Sequence, residues 1–315
     1  MLVIRKLEDL EPERPKLPRP VVTIGTFDGV HKGHQVILKR IQEIATEIEG
    51  SSILVTFHPH PKQVINPDAR VAMLTTLDEK LKMLEAFGLD AVVVVPFTRE
   101  FSEIDATSYV RDFLVGALHP HTLVIGYDHR FGRNREGSIE LLKPEASALG
   151  VKVIEIPKQQ IEAAAVSSTR IRQALAEGKV ALARELSGSA FSLTGVVVKG
   201  DQIGRELGYP TANMLVEDPT KLIPATGVYA VRVLRRDTWH SGLLSIGYRP
   251  TFNGREQRIE THILDFSEEI YGERITIRFV DWIRGEERFE SREALIEAMD
   301  RDKARGLEIL SNLEE

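Results

Sequence analysis

The chain contains no cysteine, which excludes disulfides and thiolate-bound metals and is compatible with a reducing compartment. No stretch approaches the ~18 consecutive apolar residues that a membrane-spanning helix requires. The opening MLVIRKLEDLEPERPKLPRP mixes acids with prolines and lacks the apolar centre of a secretory signal. Basic charge is not in excess either. The net charge is −6, which argues against a general nucleic-acid binder while leaving a local basic patch open. Internal repeats are missing, and low complexity is confined to the proline-rich lead. These absences lead us to expect a cytoplasmic protein that acts on neither membranes nor nucleic acid.

What is present reads as two halves. At 315 residues the chain exceeds the size over which a single core usually grows. VVTIGTF (Val21–Phe27), SILVTF (Ser52–Phe57), AVVVVPF (Ala91–Phe97), TLVIG (Thr122–Gly126) and VKVIEI (Val151–Ile156) are apolar runs of strand length. Helical patterns separate them. Ile37, Ile41, Ile44 and Ile48 form one stripe that should stop at Gly50, and further helices are expected over 106–118 and 138–149. Thr76 and Glu79 have capping-box spacing, with Gly88 as the stop. Continuous apolar strands alternating with helices predict an α/β domain, a parallel sheet covered on both faces. From about Gly195 onward, short strands and turns predict an antiparallel barrel or sandwich, closed by a helix over 291–310. The small residues of LSGSAFSLTG (Leu186–Gly195) interrupt the pattern. The expected domains are 1–186 and 187–315.

Open parallel sheets bind ligands at the carboxyl ends of their strands. Four unusual segments fall there: GTFDGVHKGH (Gly25–His34), TFHPHP (Thr56–Pro61), GYDHRFGRNREG (Gly126–Gly137) and VSSTRIRQAL (Val166–Leu175). Each alone has an ordinary explanation as a tight turn, a solvated loop or a helix N-cap. Their convergence on one sheet edge points to phosphate. Helix N-termini offer free N–H groups, arginines such as Arg130, Arg133, Arg135, Arg170 and Arg172 offer charge-assisted bonds, and Gly25, Gly29 and Gly33 permit close approach. His31 and His34, at i and i+3, would present both rings on one side of a helix start and donate hydrogen bonds to a phosphate whose charge is rearranging. A zinc site built from these two with His58 and His60 is the rival reading.

In the second half, GVVVKGDQIGRELGYPTAN (Gly195–Asn213) is either a long hairpin loop set by its Gly and Pro or a ligand loop. Thr211 and Asn213 put two neutral oxygens on one face of an extended backbone, a donor pair suited to Mg²⁺. In IETHILDF (Ile259–Phe266), Glu260, His262 and Leu264 share one face, and Ile259, Thr261 and Ile263 the other. Glu260 is then either a solvated carboxylate or a general base facing a ligand.

GTFDGVHKGH resembles the HxGH signature of the nucleotidyltransferase superfamily, and SSTRIR resembles its second signature. With TFHPHP and GYDHRFG they resemble the FMN adenylyltransferase module of bacterial bifunctional FAD synthetases. GRELGYPTAN, IGYRPTFNG and ETHILDF, followed by Tyr271–Glu273, resemble the riboflavin kinase module. The resemblance implies a nucleotidyltransferase-type, Rossmann-like sheet followed by a small barrel with a terminal helix. It also implies a transferase with two reactions: ATP phosphorylates riboflavin to FMN, and a second ATP adenylylates FMN to FAD with release of pyrophosphate. Carried onto this chain, His31 and His34 would be catalytic at the ATP phosphates. Gly25, Phe27, Asp28, Gly33, Asp128, Ser168, Thr169 and Arg172 would surround that nucleotide, and Gly204 and Arg205 the second one. Thr211 and Asn213 would hold Mg²⁺, and Glu260 would take the proton of the riboflavin 5′-hydroxyl. No flavin contact is assigned, and His129 stands where the family loop commonly has an aromatic residue. The implied ligands are riboflavin, FMN, FAD and ATP, with oligomeric state left open. Two alternatives are a flavin- or nucleotide-binding regulator that has lost one or both activities, and an adenylyltransferase for another acceptor such as nicotinate mononucleotide. The presence of His31, His34, Arg172, Thr211, Asn213 and Glu260 favours the two-reaction enzyme.

Overall fold

The computed structural model describes residues 1–68, 71–159, 167–202, 204, 207–251 and 254–312, without the side chains of 249–251 and 254–256. The chain divides into two compact units, Met1–Ser168 and Thr169–Glu315. The division falls at the first residue of the helix Ser168–Ala176, and a second short helix, Val180–Ser187, runs into the small-residue stretch at Leu186–Gly195.

The first unit is built on a six-stranded sheet in the order β1-β4-β3-β2-β5-β6. Its strands are β1 (Leu2–Ile4), β2 (Pro20–Ile24), β3 (Ser51–His58), β4 (Ala91–Pro96), β5 (Thr122–Gly126) and β6 (Lys152–Ile156). Every neighbouring pair is parallel. Side-chain alternation explains why these strands read as continuous apolar runs. Val22, Ile24, Ile53, Val55, Val93, Val95, Leu123 and Ile125 face one core, whose helices are 106–117 and Ile139–Ala148. Val21, Leu54, Val92, Val94, Val124 and Ile156 face the other, covered by α1 (Lys32–Glu47) and α3 (Leu77–Phe87). A short α2 (Pro61–Ile65) follows β3.

Both helix ends expected at 76–88 are present. Thr76 and Glu79 form the reciprocal capping box, and Gly88 closes the helix in the left-handed region at φ 87°. One expectation is corrected, and one element is additional to those expected. The acidic, proline-containing lead is structured: β1 adds a parallel edge strand to β4, and Leu7–Lys16 forms a 3₁₀ helix that buries Leu10. Helix α1 ends at Glu47, and the left-handed residue that turns the chain is Glu49, not Gly50.

The second unit is a closed antiparallel barrel, β10-β11-β8-β7-β12-β9. It comprises β7 (Ser192–Val198), β8 (Ala212–Leu215), β9 (Gly227–Arg235), β10 (Thr238–Thr251), β11 (Gly254–Ile263) and β12 (Arg274–Arg284). Closure leaves no free sheet edge. Alternate residues such as Leu193, Val197, Tyr229, Val231, Val233, Ile259, Ile263, Ile275, Ile277 and Phe279 are buried. The helix expected over 291–310 is Arg292–Ser311, capped by Ser291. Its Asp302 takes a bidentate bond from Arg284 on β12 at 2.8–3.1 Å. Strand β8 begins within the end of the stretch for which a loop is one reading, and Leu264 falls in the turn after β11, so of Glu260, His262 and Leu264 the first two share that strand's half-exposed face. Among the described residues no helix is long and apolar enough to cross a membrane.

The capping box should be worth about 1 kcal/mol to α3. Thr76→Ala is therefore expected to accelerate amide exchange across Leu77–Phe87 while leaving barrel amides unchanged, as measured by hydrogen exchange.

Candidate functional site

In the first unit the strand order reverses direction between β2 and β5, which places the binding crevice of such a sheet beyond their carboxyl ends. The turn Gly25–His31 leaves β2 there, and the loop beginning at Tyr127 leaves β5. The turn is conformationally unusual. Phe27, Gly29 and Val30 all have positive φ, at 47°, 81° and 38°, a cost that persists only where surrounding contacts impose it. Those contacts are visible. Asp28, 2% exposed, accepts bonds from Leu74 N, Thr75 N and Thr75 Oγ1 at 3.0, 3.0 and 3.2 Å, and Gly29 N donates to Thr75 Oγ1. The carboxylate read as a nucleotide contact thus holds the turn against residues far along the chain. Phe27, 3% exposed, is likewise a core residue by its side chain, and only its backbone remains for a ligand. Gly25 stays on the sheet ladder through Gly25 N to Val55 O, and Gly33 is buried in the first turn of α1.

His31 and His34 come together as their spacing predicts. His31 is the N-cap of α1, and its Nδ1 accepts from His34 N at 3.3 Å. The neutral ring therefore carries its proton on Nε2. The two imidazoles stack at 3.6 Å between centroids, and Phe27 lies 4.6 Å from His34. Burial first, then the adjoining His31 ring and the Lys80 ammonium, holds the His34 pKa well below the ordinary histidine value. The buried Nδ1 of His34 has no hydrogen-bond partner among the described residues. Such an atom costs free energy unless a ligand or water meets it.

Ser168 heads the helix Ser168–Ala176 and donates to the carbonyl of Asp28 at 3.1 Å, so this one residue of the second signature reaches the same turn. Thr169 and Arg172 follow in that helix, within the second unit. Asp128 is exposed in the loop after β5. The neighbouring His129 stacks on Phe131 at 5.8 Å, and burial lowers its pKa to about 4. In the rival zinc reading His60 is a ligand, but its Nδ1 caps α2 by accepting from Lys62 N at 3.1 Å. Among the described residues no three His, Asp or Glu side chains gather as a metal site.

One residue at this site was not singled out from the sequence. Lys80, on α3, is 6% exposed and donates to Thr26 O at 3.1 Å and Thr56 Oγ1 at 3.0 Å. Its helix carried the signal, because Lys80 shares the buried face with Leu81 and Leu84.

In the barrel, Glu260 on β11 pairs directly with Asn213 on β8, and Thr211 Oγ1 donates to Glu260 Oε2 at 3.4 Å. The three side chains expected to work together therefore meet on one patch. Glycines keep it open: a Cβ on Gly200 would overlap the Asn213 amide, and one on Gly204 would overlap the Tyr209 carbonyl and touch Thr211. Arg258, bonded to Asp201 at 2.9 Å, approaches Glu260 to 3.9 Å. The segment entering β8 is held by His262 Nδ1 with Pro210 O at 2.9 Å, and by a Tyr209 hydroxyl bond to Asp300 on the terminal helix. Arg205 lies outside the described residues.

The family model described as FAD synthetase matches residues 13–170, and that described as riboflavin kinase matches 187–310. The chain is 38% identical over 286 residues to a bifunctional riboflavin kinase/FMN adenylyltransferase of Listeria monocytogenes, covering 90% of each. It is also 38% identical to the Escherichia coli protein of the same name, over 284 residues and 90% of each chain. A crystal structure of a Streptococcus pneumoniae chain, described as a macrolide-efflux protein, superposes with TM-score 0.84 at 29% identity over 99% of both chains.

Asp28→Ala would leave the Leu74 and Thr75 amides without acceptors and Lys80 without its nearest opposite charge. A loss of roughly 2–4 kcal/mol in the stability of the first unit is expected, measured by urea unfolding. A change near zero would mean that the turn holds itself.

Proposed function

The chain belongs to the family of bifunctional riboflavin kinases/FMN adenylyltransferases, and from that premise we propose how its own residues serve each reaction. The enzyme uses ATP to phosphorylate riboflavin to FMN, and uses ATP again to adenylylate FMN to FAD. Cytoplasmic residence fits the cysteine-free composition and belongs to the same proposal.

In the adenylyl transfer, an FMN phosphate oxygen attacks the α-phosphorus of ATP and pyrophosphate leaves. This chemistry asks for positioning and charge stabilisation, with little covalent work from the protein. We assign the stacked pair to that task. His31 can donate from Nε2 because its Nδ1 is engaged. His34, kept neutral chiefly by burial, can meet a phosphate oxygen or the leaving group with a single N–H. Ser168 joins the same edge, supported by its bond to the Asp28 carbonyl. Thr169, Arg172 and Asp128 are carried from the resemblance as further nucleotide contacts.

In the kinase reaction Glu260 is the general base, taking the proton from the 5′-hydroxyl as that oxygen attacks the γ-phosphorus. The observation that carries this assignment is the direct pairing of Glu260 with Asn213, with Thr211 bonded to the same carboxylate. Hard, neutral oxygens beside a carboxylate fit Mg²⁺, so Thr211 and Asn213 would hold it with the ATP phosphates. When bound, the ion supplies charge stabilisation at the phosphate oxygens. Gly204 borders the same patch and Arg205 follows it in sequence, as expected for a nucleotide-binding segment. A binding regulator without catalysis is not favoured, because both groups of catalytic side chains are assembled.

The test is product chromatography after incubation with ATP and Mg²⁺, starting from riboflavin or from FMN. Glu260→Gln should slow riboflavin phosphorylation by ~10²-fold or more and leave FMN adenylylation intact. Changing both His31 and His34 to Ala should do the reverse, so that FMN accumulates from riboflavin. Normal kinase turnover in Glu260→Gln would remove the base assignment.

A further inference from the structure

Lys80 is a charged group buried where an apolar side chain would cost less to fold. An ammonium in such surroundings loses its hydration, and its partners repay that only in part. Its acceptors among the described residues are both neutral: the carbonyl of Thr26, and the hydroxyl of Thr56, which itself donates to Thr26 O at 3.1 Å. Thr26 belongs to the turn that carries Phe27, Asp28 and His31, so the ammonium bonds directly to the main chain of that turn. The turn can be held down without this charge, because Asp28 already ties it to Leu74 and Thr75. What the ammonium adds is a fixed orientation and a field.

The orientation follows from peptide planarity. Across a trans peptide the C=O of Thr26 and the N–H of Phe27 point in opposite directions. Gripping the carbonyl from inside therefore turns the Phe27 N–H away from Lys80, and that N–H has no acceptor among the described residues. Pulling electron density toward the carbonyl also strengthens the N–H as a donor. The field acts through a low-dielectric interior. The positive charge of Lys80 is one of the causes that keep His34 neutral, and it would attract negative charge gathering above the turn.

Building on the adenylyl-transfer reading above, we propose that Lys80 is a positioning residue for that reaction: from beneath the turn its ammonium orients the Thr26–Phe27 peptide, and it supplies positive charge toward the phosphates being rearranged. The groups around it are Asp28 on the turn, and His34 with His31 stacked on it on α1. Burial lowers the Lys80 pKa to about 8, outweighing the opposite pull of Asp28. The charge is thus present at neutral pH and fades as the pH rises past that value. Bound phosphates would retain it, so the loss should be seen in kcat/KM, which reports the free enzyme, at lower pH than in kcat.

The experiment compares the full-length enzyme with Lys80→Met and Lys80→Arg, assaying FMN adenylylation and riboflavin phosphorylation on the same preparations across pH 6.5–10, a range of about two units around the relevant titration. Lys80→Met should lose ~10- to 100-fold in kcat for FAD formation at neutral pH and keep its riboflavin phosphorylation. That second activity reports that the barrel unit is intact, and urea unfolding of the first unit, expected to keep a single cooperative transition in Lys80→Met, reports that the unit carrying the substitution is folded. The alkaline fall in kcat/KM near pH 8, expected for the wild type, should be absent from Lys80→Met. Lys80→Arg should recover part of the activity and lack the fall, because its charge persists. FAD formation by Lys80→Met equal to that of the wild type overturns the inference. So does a parallel loss of both activities, or an alkaline fall that survives in Lys80→Met. A wild-type enzyme that forms no FAD would instead overturn the underlying reaction assignment.

Discussion

The first unit depends on one buried carboxylate. Asp28 accepts two backbone N–H groups and a hydroxyl from Leu74 and Thr75, and so converts a left-handed, otherwise costly turn into a fixed surface. The histidine stack, the cap of α1 and the Ser168 contact all rest on that turn. Lys80 completes the arrangement from the opposite side. A buried acid and a buried base flank a segment of main chain, and the free energy spent on burying them is returned as rigidity of that turn.

The barrel reaches similar precision by different means. Its residues are placed by cross-strand register, with Glu260 opposite Asn213, and by glycines that let neighbouring segments lie close. Ties to the terminal helix, Tyr209 to Asp300 and Arg284 to Asp302, fix the approach to β8 and the end of β12. The two candidate sites thus use distinct physics: stored backbone strain with buried charge in one, and sheet geometry in the other.

Much of this was legible in the sequence wherever the cause is local. The capping box of Thr76 and Glu79, the Gly88 stop and the His31–His34 juxtaposition depend on spacing along one helix, and spacing is what a sequence displays. Spacing put Thr211 beside Asn213 and the resemblance gave Glu260 its role, but that the three meet on one patch follows from cross-strand register, which no local pattern displays. Strand β1 escaped because three residues carry no periodicity, and β8 because its four residues sit among glycines and prolines that announce turns. Asp28 was read as a ligand contact because its partners at Leu74 and Thr75 arrive only through the fold. Lys80 escaped for a related reason: a lysine in an amphipathic helix is ordinarily solvated, and only its place beside Leu81 and Leu84 hinted otherwise.

The shortness of β8 has a thermodynamic consequence. Among the described residues it joins β11 through two residue pairs, whereas β10 joins β11 through ten. The barrel is therefore sewn shut by its thinnest seam at the place where Asn213 and Glu260 face each other. A ligand that engages both sides of that seam acts as a cross-link, and its binding free energy becomes closure free energy for the barrel. For such a ligand, occupancy and the integrity of this half of the molecule would be two measures of the same equilibrium.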